Sequence, residues 1–249
     1  MKRYSFLKFS EAPILYQEVV SPKNSELTLL SYGRYLMKPK AEIDAFVPPY
    51  EEVALFCIHG ECSVVIDKMK YILTLYDVLY LPRNTKYNLK NTGDTELEIG
   101  IAHAPSKIDS KVVISYFKKV AKDKTGKRLR KLKGKDVYIM IGEDVEASNL
   151  LAGYSIFKPY ARSWPIHKHE DQEEIYIFIK GRGAIEVFES EETKTFVREV
   201  QPGDIVPIPF KNYHPVFSFD TELHFIWIIA GERYWVGDKD KEFMKVAKR

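Results

Sequence analysis

The sequence predicts an all-β protein built as two small barrels in tandem, and three observations carry that prediction. Short runs rich in Val, Ile, Tyr and Phe recur along the chain, punctuated by Gly, Asp and Pro at the spacing of strands in sandwiches and barrels. Helical periodicity is scarce. One half also repeats the other: LLSYGRYLMKP (29–39) resembles LLAGYSIFKP (150–159), YDVLYLPRNTKY (76–87) matches GDIVPIPFKNYH (203–214), and IGIAHAP (99–105) answers WIIAGER (227–233). The middle pair aligns Asp77 with Asp204 and Pro82 with Pro209, an offset of 127 in both cases.

The elements follow in chain order. The opening MKRYSFLKFSEAPILYQE begins with basic residues, but Lys8, Ser10 and Glu11 interrupt any apolar run before it reaches the length of an export signal. A cytoplasmic protein is expected. The first barrel runs from about Leu27 to Pro105 within a domain at 1–105. Cys57 and Cys62 flank Gly60 with no second pair elsewhere, so reduced core thiols are expected rather than a zinc knuckle or a disulfide framework. A connecting segment follows at 106–135. Its part KKVAKDKTGKRLRKLKGK (118–135) holds ten Lys or Arg against one Asp, a charge of +9 that leaves −6 on the remainder of a +3 chain. Such clusters can bind polyanions by releasing counterions. No helix-turn-helix, zinc-finger or aromatic stacking pattern accompanies this one, so it reads as a solvated connection and no nucleic-acid partner is expected. The second barrel spans about Asp136 to Arg233 in a domain at 136–249. Its apolar FIWIIA (225–230) is six residues long against the ~20 needed to cross a bilayer, so no membrane partner is expected. The terminal KDKEFMKVAKR (239–249) fits a short helix.

The chemistry concentrates in HKHEDQEEIYIFIKG, 167–181. Alternate residues of a β-strand share a face, so His167 and His169 present two imidazoles side by side. A turn after them would bring Glu174, at the head of the apolar run, back beside both. A fourth candidate, His214, closes the segment GDIVPIPFKNYH that returns the chain. Three imidazoles and a carboxylate suit a divalent ion, Zn or Mn first, with Fe, Ni or Co also compatible. A structural zinc site is usually closed and thiolate-rich, so an open His/Glu set points to catalysis. His59, His103 and His224 read as ordinary histidines.

These spacings resemble the two motifs of the cupin superfamily, G(X)5HXH(X)3,4E(X)6G and G(X)5PXG(X)2H(X)3N. Lys211 stands where the second motif has Gly, Ser218 where it has Asn, and Ala161 near the place of the leading Gly. The resemblance implies two tandem cupin (double-stranded β-helix, jelly-roll) barrels with the metal in the second. In the first copy Tyr87 takes the place of His214 and IDAFVPPYEE carries no histidine, which implies a degenerate barrel without a metal site.

WPIHKHEDQEEIYIF, GDIVPIPFKNYHPV and FIWIIAGERYW with Asp238 and Asp240, together with YLPRNTKY, AHAPS and GKRLRK, resemble a narrower group. This is the uronate isomerase family that includes 5-deoxyglucuronate isomerase of inositol catabolism and 5-keto-4-deoxyuronate isomerase. The likeness implies aldose–ketose isomerisation of a deoxy-uronate or related sugar acid, with metal at His167, His169, Glu174 and His214. Tyr176, on the strand face of Glu174, is the candidate proton-transfer group. Arg233 and Arg162 are candidate partners of the substrate carboxylate. Trp164, Trp227 and Trp235 are candidates for an apolar wall. Two rival functions share the barrel, an Fe(II) dioxygenase and a non-catalytic sugar-binding protein. A sheet face presented by an inactive barrel would also suit a homodimer.

Overall fold

The structure, a computed structural model, describes residues 12–163, 166–190, 193–231 and 238–239. In chain order its strands are β1 (Ile14–Val20), β2 (Ser31–Met37), β3 (Glu42–Phe46), β4 (Glu51–His59), β5 (Cys62–Ile66), β6 (Met69–Leu73), β7 (Val78–Leu81), β8 (Lys86–Asn91), β9 (Leu97–Pro105) and β10 (Val113–Ser115) in the first half. The second half holds β11 (Leu129–Leu132), β12 (Lys135–Ile141), β13 (Leu150–Phe157), β14 (His167–Lys168), β15 (Gln172–Lys180), β16 (Gly183–Ser190), β17 (Thr193–Val200), β18 (Ile205–Ile208), β19 (Val216–Ser218), β20 (Leu223–Gly231) and β21 (Asp238–Lys239). Among the described residues, helix is limited to α1 (Phe117–Val120) and one 3-10 turn at Glu143–Val145. The helix expected at the carboxyl terminus falls on residues 240–249, outside the described residues, while Lys239 lies in β21.

The internal repeat is a repeat of topology. The large sheets run β1-β2-β9-β4-β7-β10 and β11-β12-β13-β20-β15-β18, and the smaller ones β3-β8-β5-β6 and β17-β16-β19. Thus β2-β9-β4-β7 corresponds to β13-β20-β15-β18, and β8-β5-β6 to β19-β16-β17, giving two tandem barrels. Asp77 and Asp204 hold equivalent corners: the Asp77 carboxylate accepts the Thr74 N–H at 2.9 Å, and that of Asp204 accepts the Gln201 N–H at 2.9 Å. The stretch 106–135 is less of a free connection than its charge suggests. Its β10 pairs with β7 in the first large sheet, and its β11 pairs with β12 in the second.

Burial on both faces explains the apolar runs. Val53, Leu55 and Cys57 of β4 fill the first barrel, while Ala54 and Phe56 point the other way into a core shared by both halves. On β20, Phe225, Trp227 and Ile229 fill the second barrel, while Ile226, Ile228 and Ala230 join the shared core. A sheet packed on one face alternates apolar and polar residues; one packed on both reads as continuous hydrophobicity, as in FIWIIA. Cys57 and Cys62 are both buried free thiols.

Two buried carboxylates tie the halves together. Glu52 on β4 accepts the backbone N–H groups of Ser148, Asn149 and Leu150, each at 2.7 Å, and the Tyr80 hydroxyl at 2.7 Å. Glu173 on β15 accepts the N–H groups of Thr28 (2.8 Å), Leu29 (2.6 Å) and Leu30 (2.5 Å) and the Thr28 hydroxyl at 3.2 Å. Both side chains come from residues that are 0% exposed. Each carboxylate therefore satisfies three consecutive donors at the entry to the opposite barrel.

Candidate metal centre

The four candidate ligands arrive on three short pieces of chain. His167 opens β14, which pairs with β21 (His167↔Lys239), and His169 follows at its end. After the bend at Glu170–Asp171 the chain enters β15, where Glu174 sits opposite Ile208 of β18 and Ile229 of β20. His214 lies in the loop between β18 and β19. That loop is fixed to the other by Lys211, whose N–H donates to the His169 carbonyl at 2.6 Å from a left-handed backbone (φ 65°). Glycine adopts this conformation most easily, which accounts for the Gly of the cupin motif at this place. Asn84 repeats the arrangement in the first barrel, with φ 61° and its N–H on the Val47 carbonyl at 3.0 Å.

One donor atom from each of His167, His169, Glu174 and His214 lies within 4.8 Å of all the others, the one such grouping among the described residues. His169 and Glu174 are 3% exposed and His214 1%. Glu174 Oε2 stands 3.2 Å from His169 Nε2 and 3.0 Å from His214 Nε2, and the Nε2 atoms of His214 and His167 are 3.2 Å apart. The His214 Nδ1–H donates to the Asn212 carbonyl at 2.9 Å, leaving the Nε2 lone pair facing inward, the orientation a metal ligand requires. Among the described residues, His169 Nδ1 and Nε2 and Glu174 Oε2 are buried without a hydrogen bond of good geometry. Buried imidazole nitrogens and a carboxylate converging on one point suit a cation, so these residues fit a divalent ion.

Burial, the imidazoles of His214 and His169 and, further out, the charge of Lys135 hold His167 well below the usual histidine range. Burial alone would raise Glu174, but His214 and His169 together override it and hold the carboxyl at about 2. These shifts favour neutral His167 and ionised Glu174 at neutral pH, the states in which they can bind a metal. They also make the metal-free protein acid-labile. His167 titrates in the unfolded chain near 6.5 and in the folded chain far lower, so below about pH 6.5 the unfolded state takes the extra proton and stability falls. Glu174 acts in the same direction at lower pH: its stabilisation is complete above about 4.5 and is lost toward 2. The melting temperature of the metal-free protein is therefore expected to drop between pH 7.5 and 5, and more shallowly for His167→Asn. A pH-independent melting curve over that range would contradict it.

His167, His169 and Glu174 line a cavity of about 700 Å³. Tyr176, Trp227 and Arg162 line it, so two of the three candidate catalytic residues meet the ligands there. Arg162 is exposed at the rim, where its backbone bridges to Phe217. Tyr176 is buried beside His214, ring centroids 5.6 Å apart, and burial together with Glu174 pushes its hydroxyl well above the usual tyrosine range. It is a neutral phenol at physiological pH. The buried Trp227 Nε1–H has no hydrogen-bond partner among the described residues and is a donor available to a bound oxygen. Arg233, Trp164 and Trp235 lie outside the described residues. Sequence reasoning missed the contribution of Arg130, Lys133 and Lys135, which also line the cavity. The signal for them was the basic run, read as a solvated connection.

In the first barrel the strand pairings and the Asn84 turn place Ala45, Val47, Val53 and Tyr87 where the second has His167, His169, Glu174 and His214. Val47, Val53 and Tyr87 belong to the apolar core of that barrel. His103 faces Glu51 at 2.9 Å, and His224 lies between the Tyr76 hydroxyl (3.1 Å) and Glu222 (3.2 Å).

Comparison with known proteins agrees with this architecture. The sequence profile of the KduI/IolB family matches residues 9–246. The 4-deoxy-L-threo-5-hexosulose-uronate ketol-isomerase of Shouchella clausii (strain KSM-K16) is 25% identical over 218 residues, covering 79% of this chain and 73% of that protein. Among solved structures, an IolB-like protein of Salmonella typhimurium LT2 superposes with a TM-score of 0.78 at 20% identity, covering 93% of this chain and 94% of its own. An oxalate decarboxylase of Lactobacillus farciminis gives 0.75 at 16% identity, covering 98% and 90%. The two structural likenesses speak to the tandem-barrel fold, whereas the profile spans nearly the whole sequence: this chain belongs to the KduI/IolB family.

Proposed function

We propose that this protein is a metal-dependent ketol-isomerase of a sugar acid, of the 5-deoxyglucuronate type, acting in the cytoplasm in inositol or related uronate catabolism. The observation that carries the reading is the convergence of His167, His169, Glu174 and His214, with three buried atoms of His169 and Glu174 lacking hydrogen-bond partners among the described residues, beside a cavity that also presents Tyr176 and Arg162. Zn or Mn is the ion favoured by a set of three imidazoles and one carboxylate. When bound, such an ion acts as a Lewis acid that stabilises the negative charge developing on the substrate oxygens of an enediolate.

The chain's own residues account for the rest. Ketol isomerisation takes a proton from the carbon next to a carbonyl and returns one to the neighbouring carbon, while the oxygens exchange their roles as alcohol and carbonyl. Tyr176 stays protonated, so it serves as a donor to a substrate oxygen and not as the base. Trp227 Nε1–H offers a second fixed donor. Tyr176, Phe157 and Phe225 give the cavity an aromatic wall. Tyr176→Phe is expected to lower kcat by about 10²–10³, within the range for loss of a positioned proton donor, with metal content and KM little changed. Unchanged kcat would remove Tyr176 from the chemistry.

The deciding experiment pairs metal analysis of untagged protein with an anaerobic NMR assay on 5-deoxyglucuronate and related uronates. About one divalent ion per chain and oxygen-independent conversion are expected. Iron with turnover only in air would replace the isomerase by a dioxygenase, and a protein without metal or turnover would be a sugar-binding barrel pair.

A further inference from the structure

An aromatic ring stands in water at the mouth of the cavity. Tyr160 lines the cavity yet is 81% exposed, the most exposed of the large apolar side chains among the described residues. Its backbone is left-handed, with φ 57°, a conformation that glycine adopts without the steric cost a β-carbon brings. The turn that carries it is firmly held. The Lys158 N–H donates to the Gly134 carbonyl at 2.9 Å, the Tyr160 N–H to the Phe219 carbonyl at 2.8 Å and the Ser218 N–H to the Ala161 carbonyl at 2.9 Å. The Ser218 hydroxyl adds two more bonds, donating to the Lys158 carbonyl at 2.5 Å and accepting the Ala161 N–H at 2.9 Å.

The internal repeat supplies a control within the same chain. KPKA (38–41) in the first barrel matches KPYA (158–161) in the second, and the two differ only at the third residue. Lys40 is left-handed as well, with φ 66°, and is exposed. The bonds around it also match: the Lys38 N–H donates to the Pro13 carbonyl at 2.9 Å and the Asn91 N–H to the Ala41 carbonyl at 2.9 Å. The turn therefore forms without an aromatic residue at its tip. A lysine there keeps its charge in water, whereas a tyrosine leaves apolar surface exposed. Only the barrel with the ligand cluster carries the ring at this place.

We propose that Tyr160 is a sugar platform at the mouth of the site, its ring carrying the C–H face of the bound sugar acid. The inference rests on the sugar-acid reading above and deepens it by naming the residue that recognises the sugar's carbon skeleton. One face of a hydroxylated ring or chain presents C–H groups, whose positive hydrogens rest on the negative face of an aromatic ring. Leu132, 49% exposed at the end of β11, lines the same cavity and extends the apolar rim. Covering the sugar also covers the ring, which withdraws the apolar surface that the free protein leaves in water. Such a contact holds substrate and transition state alike, so it acts on KM and leaves kcat nearly unchanged.

The test uses metal-loaded full-length protein and calorimetric titration with D-glucuronate and with glycolate, a hydroxy acid too short to stack. Tyr160→Ala is expected to weaken glucuronate about tenfold and glycolate by less than about twofold, at unchanged metal content. Tyr160→Phe and Tyr160→Trp should bind both as the parent does. Tyr160→Gly should lose as much glucuronate affinity as Tyr160→Ala while its melting temperature stays level or rises, since glycine suits the left-handed turn. Lys40→Ala, at the matching turn, should leave both affinities unchanged. Equal glucuronate affinity in Tyr160→Ala and the parent, no glucuronate binding by the parent, or an equal loss for glucuronate and glycolate overturns the proposal. If the parent nevertheless isomerises a uronate, the isomerase reading stands without the platform. Glucuronate binding that depends on the ring, without turnover of any uronate, supports the platform and removes the isomerase.

Discussion

His169→Ala and His214→Ala, singly or together, are expected to hold no divalent ion tightly and to isomerise no uronate, while circular dichroism and gel filtration match the parent. Each removes a nearly fully buried donor atom from a four-residue cluster. Loss of an outer hydrogen-bond partner alone costs a metal site roughly 10–100-fold in affinity, and loss of a ligand should exceed that. The fold should survive because the first barrel and the shared core contain none of these residues. Added metal should raise the melting temperature of the parent and leave that of the variants in place, since only an ion that binds the native state stabilises it. A double variant that retains a full equivalent of metal would sink the site.

Glu52→Ala and Glu173→Ala should be the most destabilising single changes outside the barrel cores. Each strands three consecutive backbone N–H groups that the buried carboxylate now accepts, those of Leu150 and Leu30 being in fully buried bonds. Breaking a buried charged network from one side costs roughly 3–5 kcal/mol. For a chain of this size that corresponds to a melting temperature lower by roughly 10 °C. Gln in either position keeps the shape but offers two acceptor lone pairs where the carboxylate has about four, so it should recover only part of the loss. Glu173→Ala carries a further expectation, because Glu174 is the next residue on β15. Its loss should weaken metal affinity as well as stability, whereas Glu52→Ala should weaken stability alone. Equal metal affinity in the two variants would show that the tie does not help to position Glu174.

Much of the site was legible in the chain because its residues are close in sequence and follow the strand period. HKH and Glu174 fall within eight residues, and one bend between β14 and β15 brings them together. His214 was legible through the repeat, since the matching Asp77 and Asp204 corners located the segment that ends on it. The apolar runs IYIFI and FIWIIA announced strands but not what they face; that each contributes alternate residues to a barrel and to the shared core depends on the two halves packing together. The paired tie was not legible at all. In sequence, Glu52 and Glu173 are the second and first members of two Glu-Glu pairs, and nothing local separates Glu173, which holds the other barrel, from Glu174, which faces the ligand cluster.

By itself the sequence determined an all-β chain, its repetition, and a set of three imidazoles and one carboxylate in the second copy. Alternation, turn residues and repeat spacing are local properties, and short-range sterics suffice to express them. Only the tertiary structure decided that the basic run 118–135 ends on the wall of the cavity, that Tyr176 is kept neutral, and that Glu52 and Glu173 bind across the halves. Charge exposure, desolvation and donor satisfaction depend on which distant groups surround a side chain, and only packing supplies those neighbours.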